Sequence, residues 1–118
     1  MWVNEIRKVF SPPDYPNIDL PTDHVLYRTQ LVVAQTPQIP NIGFWLDTGT
    51  ASERGFDSVD VHTRAITDEA GRIMVLMTHN TDLGDSWERE ADDPTYFYQF
   101  AANGYAFGIN VVLYALTH

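Results

Sequence analysis

The chain has 118 residues, of which 44% are hydrophobic and 13% aromatic, and its 16 acidic and 7 basic residues give a formal net charge of -9. This size and apolar content predict a single domain with one core and exclude a disordered chain. The acidic balance excludes binding to nucleic acid or anionic membrane through phosphate contacts, which need clustered Lys and Arg. The sequence has no cysteine, which excludes disulfides, thiolate metal sites and a cysteine nucleophile.

Neither a targeting signal nor a membrane anchor stands out in the chain. Residues 1–8 lack the basic start, apolar stretch and small-residue cleavage site of a signal peptide. The most apolar run, residues 104–116, contains Asn110 and is shorter than the roughly 18 residues that span a bilayer. We therefore expect no export signal and no direct membrane insertion, and the compartment stays open.

The N-terminal part predicts one helix followed by a loop and a capped turn. Apolar side chains recur at helical spacing over residues 1–10, which predicts an amphipathic helix that ends at Ser11-Pro12-Pro13. Further prolines exclude helix over residues 12–21, which we interpret as an extended surface loop. Thr22-Asp23-His24 offers a cap for a short turn over residues 25–28.

Three segments have the character of strands. Residues 30–34 predict a short strand, and alternating apolar and polar side chains over 59–66 predict a half-exposed one. Residues 67–71 supply a turn into the apolar run 73–77. Because a strand that is apolar on both faces is typically covered on both, we interpret 73–77 as a central strand. The pair is then an antiparallel hairpin at or near one edge of a larger sheet.

The C-terminal part predicts two helices. Asp92-Asp93-Pro94 combines an acidic cap with proline at the first helical position, and the helix it starts is predicted to end near Asn103-Gly104. Residues 105–117 are apolar on nearly every side, and their length favours a second, buried helix. Such a helix needs packing partners on several sides. The predicted elements therefore carry more apolar surface than they can bury against one another.

Several stretches together carry a family resemblance. They are Pro21-Thr22-Asp23-His24, Pro37-Gln38-Ile39-Pro40, Ser52-Glu53-Arg54-Gly55, Gly71-Arg72-Ile73-Met74-Val75, His79-Asn80-Thr81-Asp82-Leu83-Gly84-Asp85-Ser86-Trp87-Glu88 and residues 104–118. With these stretches the chain resembles, over nearly its whole length, the C-terminal half of the bacterial domain-of-unknown-function 4159 family. The run from His79 to Trp87 is the most specific part of the resemblance.

The resemblance implies an α/β three-layer fold similar to class I glutamine amidotransferases and flavodoxin-like domains. It implies that residues 1–118 are a single, partial domain, a fragment that lacks an N-terminal half of parallel βα units. We therefore expect the sheet to be completed by a missing half-domain, a partner protein or an oligomer. The resemblance also places full-length members in the bacterial cell envelope, beside ATPase and von Willebrand-type partners.

The loop that follows the apolar strand holds most of the candidate site residues. Open α/β sheets commonly place ligands after a strand end, and the candidates there are His79, Asn80, Asp82, Asp85, Trp87 and Glu88. Asp82 and Asp85 are the candidate ligands for calcium or magnesium, although the segment departs from the EF-hand pattern. The alternative is architectural, with Asp85 and Glu88 forming a capping box and Asn80 and Asp82 a turn.

Further candidates lie outside this loop. His24 and His79 could act as acid–base groups, although a histidine bonded to the backbone is the more common use. Glu53 and Arg54 form either a structural ion pair or a fork that binds carboxylates. Ser52 and Ser86 are possible nucleophiles for a hydrolase, but neither lies in the Gly-x-Ser-x-Gly motif that exposes a catalytic serine. Amidotransferase chemistry is excluded, because the cysteine nucleophile of that fold has no counterpart in this sequence.

These observations favour a non-catalytic module that binds a ligand or a partner on an amidotransferase-like scaffold. The first alternative is a metal-assisted hydrolase that uses His79, Asp82 and Asp85. The second is a truncated gene product without independent function. No cofactor is predicted.

Overall fold

The computed structural model describes residues 2–118, and of Trp2 only the backbone. The helices are α1 (Trp2–Val9), α2 (Ile42–Thr48), α3 (Leu83–Glu88), α4 (Pro94–Tyr96) and α5 (Ala102–Thr117), and the strands are β1 (Ile18–Asp19), β2 (His62–Thr67) and β3 (Ile73–His79). Short 3-10 turns occupy Val25–Arg28 and Gly55–Ser58, and a π turn at Phe97–Ala101 joins α4 to α5. The predicted N-terminal helix is confirmed, while its expected first residue, Met1, lies outside the described residues.

The three strands form one antiparallel sheet in the order β1-β2-β3. The predicted hairpin is confirmed, with His62 opposite His79 and Ala65 opposite Leu76. Its turn is closed by Asp68, whose Oδ1 accepts the backbone N–H groups of Ala70 and Arg72. The protein is therefore a mixed α/β fold.

Helices lie on both faces of this sheet. Because side chains alternate along a strand, Ala65 and Leu76 share one face, where they pack with Phe107 and Tyr114 of α5. On the opposite face, Ile66 of β2 lines a small cavity together with residues of α1. The main core therefore lies between the sheet and α5. A second cluster, formed by Ile39, Ile42 and Tyr96, lies beside it.

β3 lies at the edge of the sheet and not at its centre, so the central placement of residues 73–77 is wrong for the described chain. No fourth strand is present in residues 2–118 to pair with its outer side. Most side chains of β3 are accordingly only partly buried, and Met77 is the one residue of the strand that is buried. The described chain thus leaves apolar side chains of β3 partly exposed.

The strand predicted at residues 30–34 is also wrong, because this segment is irregular and is held by a side chain. Asn110 is fully buried on α5, and its Oδ1 accepts the backbone N–H groups of Gln30 at 3.0 Å and Leu31 at 2.9 Å. Its Nδ2 donates to the carbonyl of Leu31 at 2.7 Å. One amide side chain therefore replaces the pairing that a sheet would provide.

The C-terminal region is one continuous helical segment, Pro94–Thr117, and does not break near Asn103-Gly104 as predicted. Its start is confirmed, because the Asp93 carboxylate accepts the N–H of Tyr96 and Pro94 occupies the first turn. The segment is long and apolar enough to cross a membrane by length and composition, a test that core helices also pass. Its predicted full burial is wrong, since Ile109 is 42% and Val112 58% exposed.

Candidate functional site

Three of the segments that carry the family resemblance meet at the C-terminal end of β3. They are the loop 37–40, the turn 52–55 and the segment 79–88 that leads into α3. The Thr81 hydroxyl accepts the N–H of Ile39 at 3.0 Å and donates to the carbonyl of Pro37 at 2.7 Å. Because these residues are 42 and 44 positions apart along the chain, the contact fixes the loop against the strand end.

Two acidic side chains hold the start of α2 in the same region. The Asp85 Oδ2 accepts the backbone N–H of Ile42 at 2.9 Å and the side-chain amide of Asn41 at 3.0 Å. The Glu53 Oε1 accepts the backbone N–H of Asn41 at 2.6 Å. These carboxylates satisfy N–H groups that a helix start leaves without a partner inside the helix.

A polar cavity of about 440 Å³ opens between these segments. It is lined by Glu53, Arg54, Ser58, Thr78, His79, Asn80, Thr81, Asp82, Leu83 and Gly84. Its volume falls in the range of small-molecule sites, about 300–1,000 Å³. The structure thus brings together five of the candidates named from the sequence: Glu53, Arg54, His79, Asn80 and Asp82.

Several lining side chains keep polar atoms available to a ligand. Arg54 and His79 are exposed, and Arg54 makes no ion pair within residues 2–118. Asp82 uses only Oδ1, which accepts the N–H of Asp85 at 3.1 Å as the cap of α3. Asn80 donates through Nδ2 to the carbonyl of Asp60, and its φ of 64° places it in the left-handed region that asparagine tolerates. The cavity therefore offers a guanidinium, an imidazole, a carboxylate oxygen and an amide oxygen.

Three carboxylates of this region act on one buried phenol, that of Tyr96. Tyr96 is fully buried, and its hydroxyl donates to the carbonyl of Pro40 at 2.9 Å. Burial raises the pKa of Tyr96 well above its usual value, and the nearby Asp85, Asp82 and Glu53 raise that pKa further. Glu53 and Asp82 therefore favour hydrogen-bond donors in their part of the cavity, whereas the Arg54 guanidinium in the same lining favours an anionic group.

Residues 2–116 match a family described as Domain of unknown function (DUF4159). The chain belongs to this family. The match spans nearly the whole chain and confirms the family resemblance read from the motif segments. No curated protein and no solved structure matches the chain.

Four other sequence candidates lie away from the lining of the cavity in this family member. Asp85 is committed to α2, and Glu88 is an exposed residue at the end of α3. Trp87 packs against Gly108 of α5 instead of facing the cavity. The proposed capping box of Asp85 and Glu88 is wrong, because the cap of α3 is Asp82 and lies three positions earlier than expected.

His24 serves the short turn at residues 25–28 and not the cavity. Its Nδ1 accepts the backbone N–H of Leu26 at 3.1 Å, and its ring lies 5.8 Å from that of Tyr114. Burial lowers the pKa of His24, opposed by Asp23 and reinforced by His118. The capped turn predicted from residues 22–24 is confirmed, with histidine as the capping residue.

No group of three or more His, Cys, Asp or Glu side chains within the described part of the chain is arranged to hold a metal ion. Of the two candidate metal ligands, Asp82 caps α3 and Asp85 binds the start of α2. Both carboxylates therefore bind helix starts, Asp82 that of α3 and Asp85 that of α2, which differs from the predicted turn at Asp82 and capping box at Asp85.

Sequence reasoning missed Thr81 and Ser58. Ser58 is buried, and its Oγ accepts the N–H of Arg54 at 2.7 Å and lies 2.9 Å from the Ser52 hydroxyl, so it shapes the turn that presents Arg54. Both residues act through long-range or turn contacts that leave no periodic signal. The one local hint was the placement of Thr81 within the most specific motif.

Proposed function

We propose that this DUF4159 family member is a non-catalytic module that binds a small polar ligand in the cavity at the end of β3. One observation carries the proposal: five residues singled out from separate motifs line the same cavity. These side chains keep polar atoms that make no hydrogen bond within residues 2–118, whereas Asp85 and one oxygen each of Glu53 and Asp82 are used in capping and loop contacts.

The lining indicates the chemistry of the ligand. Arg54 suits a carboxylate, because a guanidinium binds the two oxygens of a carboxylate in parallel. Asp82 and the amide oxygen of Asn80 suit hydroxyl or ammonium donors on the same molecule. A small molecule that carries a carboxylate together with such donors, an amino acid or a hydroxy acid, satisfies all three.

The serines of the region support a binding role over a hydrolytic one. The Ser86 hydroxyl is buried and donates to the carbonyl of Leu83 at 2.6 Å. The Ser52 hydroxyl donates to the carbonyl of Gly55. Neither hydroxyl contacts a histidine in the described residues, so no base is placed to activate it.

The scaffold proposal follows from the family resemblance. The described sheet is antiparallel, and what supports the proposal is that helices cover both of its faces while the bare edge of β3 leaves room for the further strands of a flavodoxin- or amidotransferase-like sheet. In this proposal the chain is a partial domain that is completed by an N-terminal half or a partner chain in the bacterial envelope. A truncated product without function would instead lack both a cooperative melt and a specific ligand.

The ligand proposal is tested by isothermal titration calorimetry with the L-amino acids, malate and tartrate. Simple sugars and alkylamines, which lack a carboxylate, serve as comparison ligands. We expect binding by at least one carboxylate ligand, weakened by about tenfold or more in Arg54→Gln, since a charge-assisted bond is worth about 1.5–3 kcal/mol. Asp82→Asn keeps the helix cap and removes the charge, so it should weaken binding while the fold persists.

Arg7→Gln provides the matched control, because it removes the same charge from an exposed site on α1. The proposal is wrong if no carboxylate ligand binds, or if Arg54→Gln and Arg7→Gln bind equally well. Calorimetry with Ca²⁺, Mg²⁺, Zn²⁺ and Mn²⁺, followed by hydrolysis assays, tests the metal-assisted alternative. Ion binding that Asp82→Asn abolishes, together with turnover, would favour the hydrolase.

A further inference from the structure

The outer side of β3 presents backbone groups that the rest of the described chain does not pair. The N–H of Leu20 donates to the carbonyl of Thr63, so the backbone of Thr63 faces β1. Backbone direction alternates along a strand, and Arg64 therefore faces β3, where its partner is Met77. The neighbours of Met77 on β3, Leu76 and Thr78, consequently direct their N–H and C=O groups away from the sheet.

These outward groups have no hydrogen-bond partner among residues 2–118. The strand also lacks the features that commonly protect an edge, since IMVLMTH contains neither proline nor lysine nor an acidic residue. An apolar, uncharged strand with free ladder groups is the geometry that accepts another strand.

An apolar groove of about 680 Å³ runs along the same edge. It is lined by Leu76 of β3, by Ile109 and Val112 of α5, and, towards the start of α5, by Tyr105 and Trp87. None of the residues that line the groove is charged. Alternate side chains of a strand added to β3 would enter this groove and cover the exposed face of α5.

We infer that β3 accepts an additional β-strand from a second polypeptide, whose α5-facing side chains are apolar and whose end near Trp87 is basic. The free backbone groups specify a strand, because a lipid surface or a docked helix would leave them unpaired. This docking surface shares only Thr78 and Leu83 with the lining that defines the ligand proposal. The inference rests on the proposal that the described sheet is part of a larger one, and it commits to a partner chain as the source of the added strand.

Charge determines which end of the strand is basic and argues against a second copy of this chain. Glu88, next to Trp87 in the chain, is exposed, and the nearby Glu90 carboxylate raises the pKa of the Tyr105 phenol. A lysine or arginine at this end of the incoming strand would therefore be attracted. Two copies of this chain would each bring a net charge of -9.

The test uses two synthetic peptides that alternate valine and threonine, one with a lysine pair at its N-terminus and one with the pair at its C-terminus. Fluorescence anisotropy measures the binding of each peptide. We expect one orientation to bind and to slow amide exchange at Leu76 and Thr78. Val112→Asp should weaken binding about tenfold or more, because it places a carboxylate in an apolar groove. Val9→Asp, at a residue 72% exposed on α1, adds the same charge outside the groove and should bind as the unmodified chain does.

Thr78→Pro provides a second, independent variant. It removes an outward N–H without touching the ladder to β2, so the chain should fold but bind the peptide about tenfold more weakly than Thr78→Val does. Equal binding by Thr78→Pro and Thr78→Val overturns the inference. So does the absence of binding by either peptide, a β3–β3 homodimer in sedimentation analysis, or preferential binding to phosphatidylcholine vesicles.

Discussion

Gly104 lies where the helical segment that begins at Pro94 packs against α3. A Cβ at this position would lie 2.0 Å from the Oγ and 2.7 Å from the Cβ of Ser86, a side chain with no exposure. Because Ser86 is held by its bond to the Leu83 carbonyl, it has little room to move away. Glycine therefore ends no helix here but permits close packing of α3 on α5.

We predict that Gly104→Ala destabilises the protein by about 1–3 kcal/mol through overpacking, despite the higher helix propensity of alanine. Urea denaturation followed by circular dichroism measures the change in the free energy of unfolding. Asn103→Ala, at the preceding exposed position, is the control and should be neutral or slightly stabilising. Equal stability of the two variants would contradict the packing account.

His24 makes the stability of the capped turn depend on pH. Its Nδ1 must be unprotonated to accept the Leu26 N–H, and burial lowers its pKa below the usual 6.5 in the folded state. The unfolded chain therefore binds the proton first, and the contribution is complete above about pH 6.5 and declines as the pH falls through the lowered folded pKa.

We predict that His24→Ala costs about 0.5–1 kcal/mol at pH 7.5 through loss of the cap, and that the cost shrinks toward pH 5. Thermal melts at pH 7.5, 6.5 and 5.0 compare the variant with the unmodified chain. His62→Gln, at an exposed residue on β2, serves as the control. A cost for His24→Ala that stays constant across these pH values would show that the cap does not depend on the neutral imidazole.

The sequence indicates residue roles well where a local rule governs them. Asp93 before Pro94 caps its helix as predicted, because a side chain reaching an N–H three positions away is a local event. The same local rule fails for Asp85, because its hydrogen-bond partners, residues 41 and 42, lie far from it in the sequence. Local spacing suggested a cap at Asp85, whereas tertiary contact assigns its carboxylate to α2.

At the scale of elements, Asn110 links α5 to the irregular segment 30–34. Its three hydrogen bonds to Gln30 and Leu31 substitute for the sheet pairing that this segment was predicted to make. The apolar run 30–34 looks like a strand because β-branched residues are frequent in strands. Within residues 2–118 no strand pairs with it, however, so the backbone groups of Gln30 and Leu31 bind the buried amide, while the N–H of Val33 donates to the carbonyl of Tyr27 at 2.8 Å.

We predict that Asn110→Leu leaves the hairpin intact and releases this segment. Amide exchange at Gln30 and Leu31 should accelerate about fivefold or more, since each donor loses a bond worth about 1 kcal/mol or more. Exchange within the β2–β3 ladder should change much less. Asn103→Leu places the same side chain at an exposed position of α5 and serves as the control. Uniform acceleration across the whole protein would indicate global destabilisation instead.

The type of an element could be predicted where the pattern of its side chains was clear. Which elements pack beside it could not be predicted. The hairpin and the C-terminal helical regions follow from alternation and from the helix start at Pro94. The periodicity of β3 correctly indicates a strand suited to burial on both faces, but it contains no information about whether the cover exists in this chain. That difference leaves β3 at an edge and α5 partly exposed.

At the scale of the whole molecule, three of the motif segments come together in one place. The loop 37–40, the turn 52–55 and the segment 79–88 are distant in sequence, yet they enclose one polar cavity. Five candidate residues could be named from the sequence, because they are polar residues in specific motifs at a strand end. Their convergence could not be predicted, because it depends on Thr81, Asp85 and Glu53 holding loops at long range.

The most direct measurement of the central claim is a ¹H–¹⁵N NMR titration of the unmodified chain with the amino acids, malate and tartrate. Binding in the polar cavity predicts saturable shifts of the amides in residues 53–58 and 78–84, which Arg54→Gln suppresses and Arg7→Gln leaves intact. The claim would be contradicted by the absence of saturable shifts with every carboxylate ligand, or by shifts confined to residues outside these two segments.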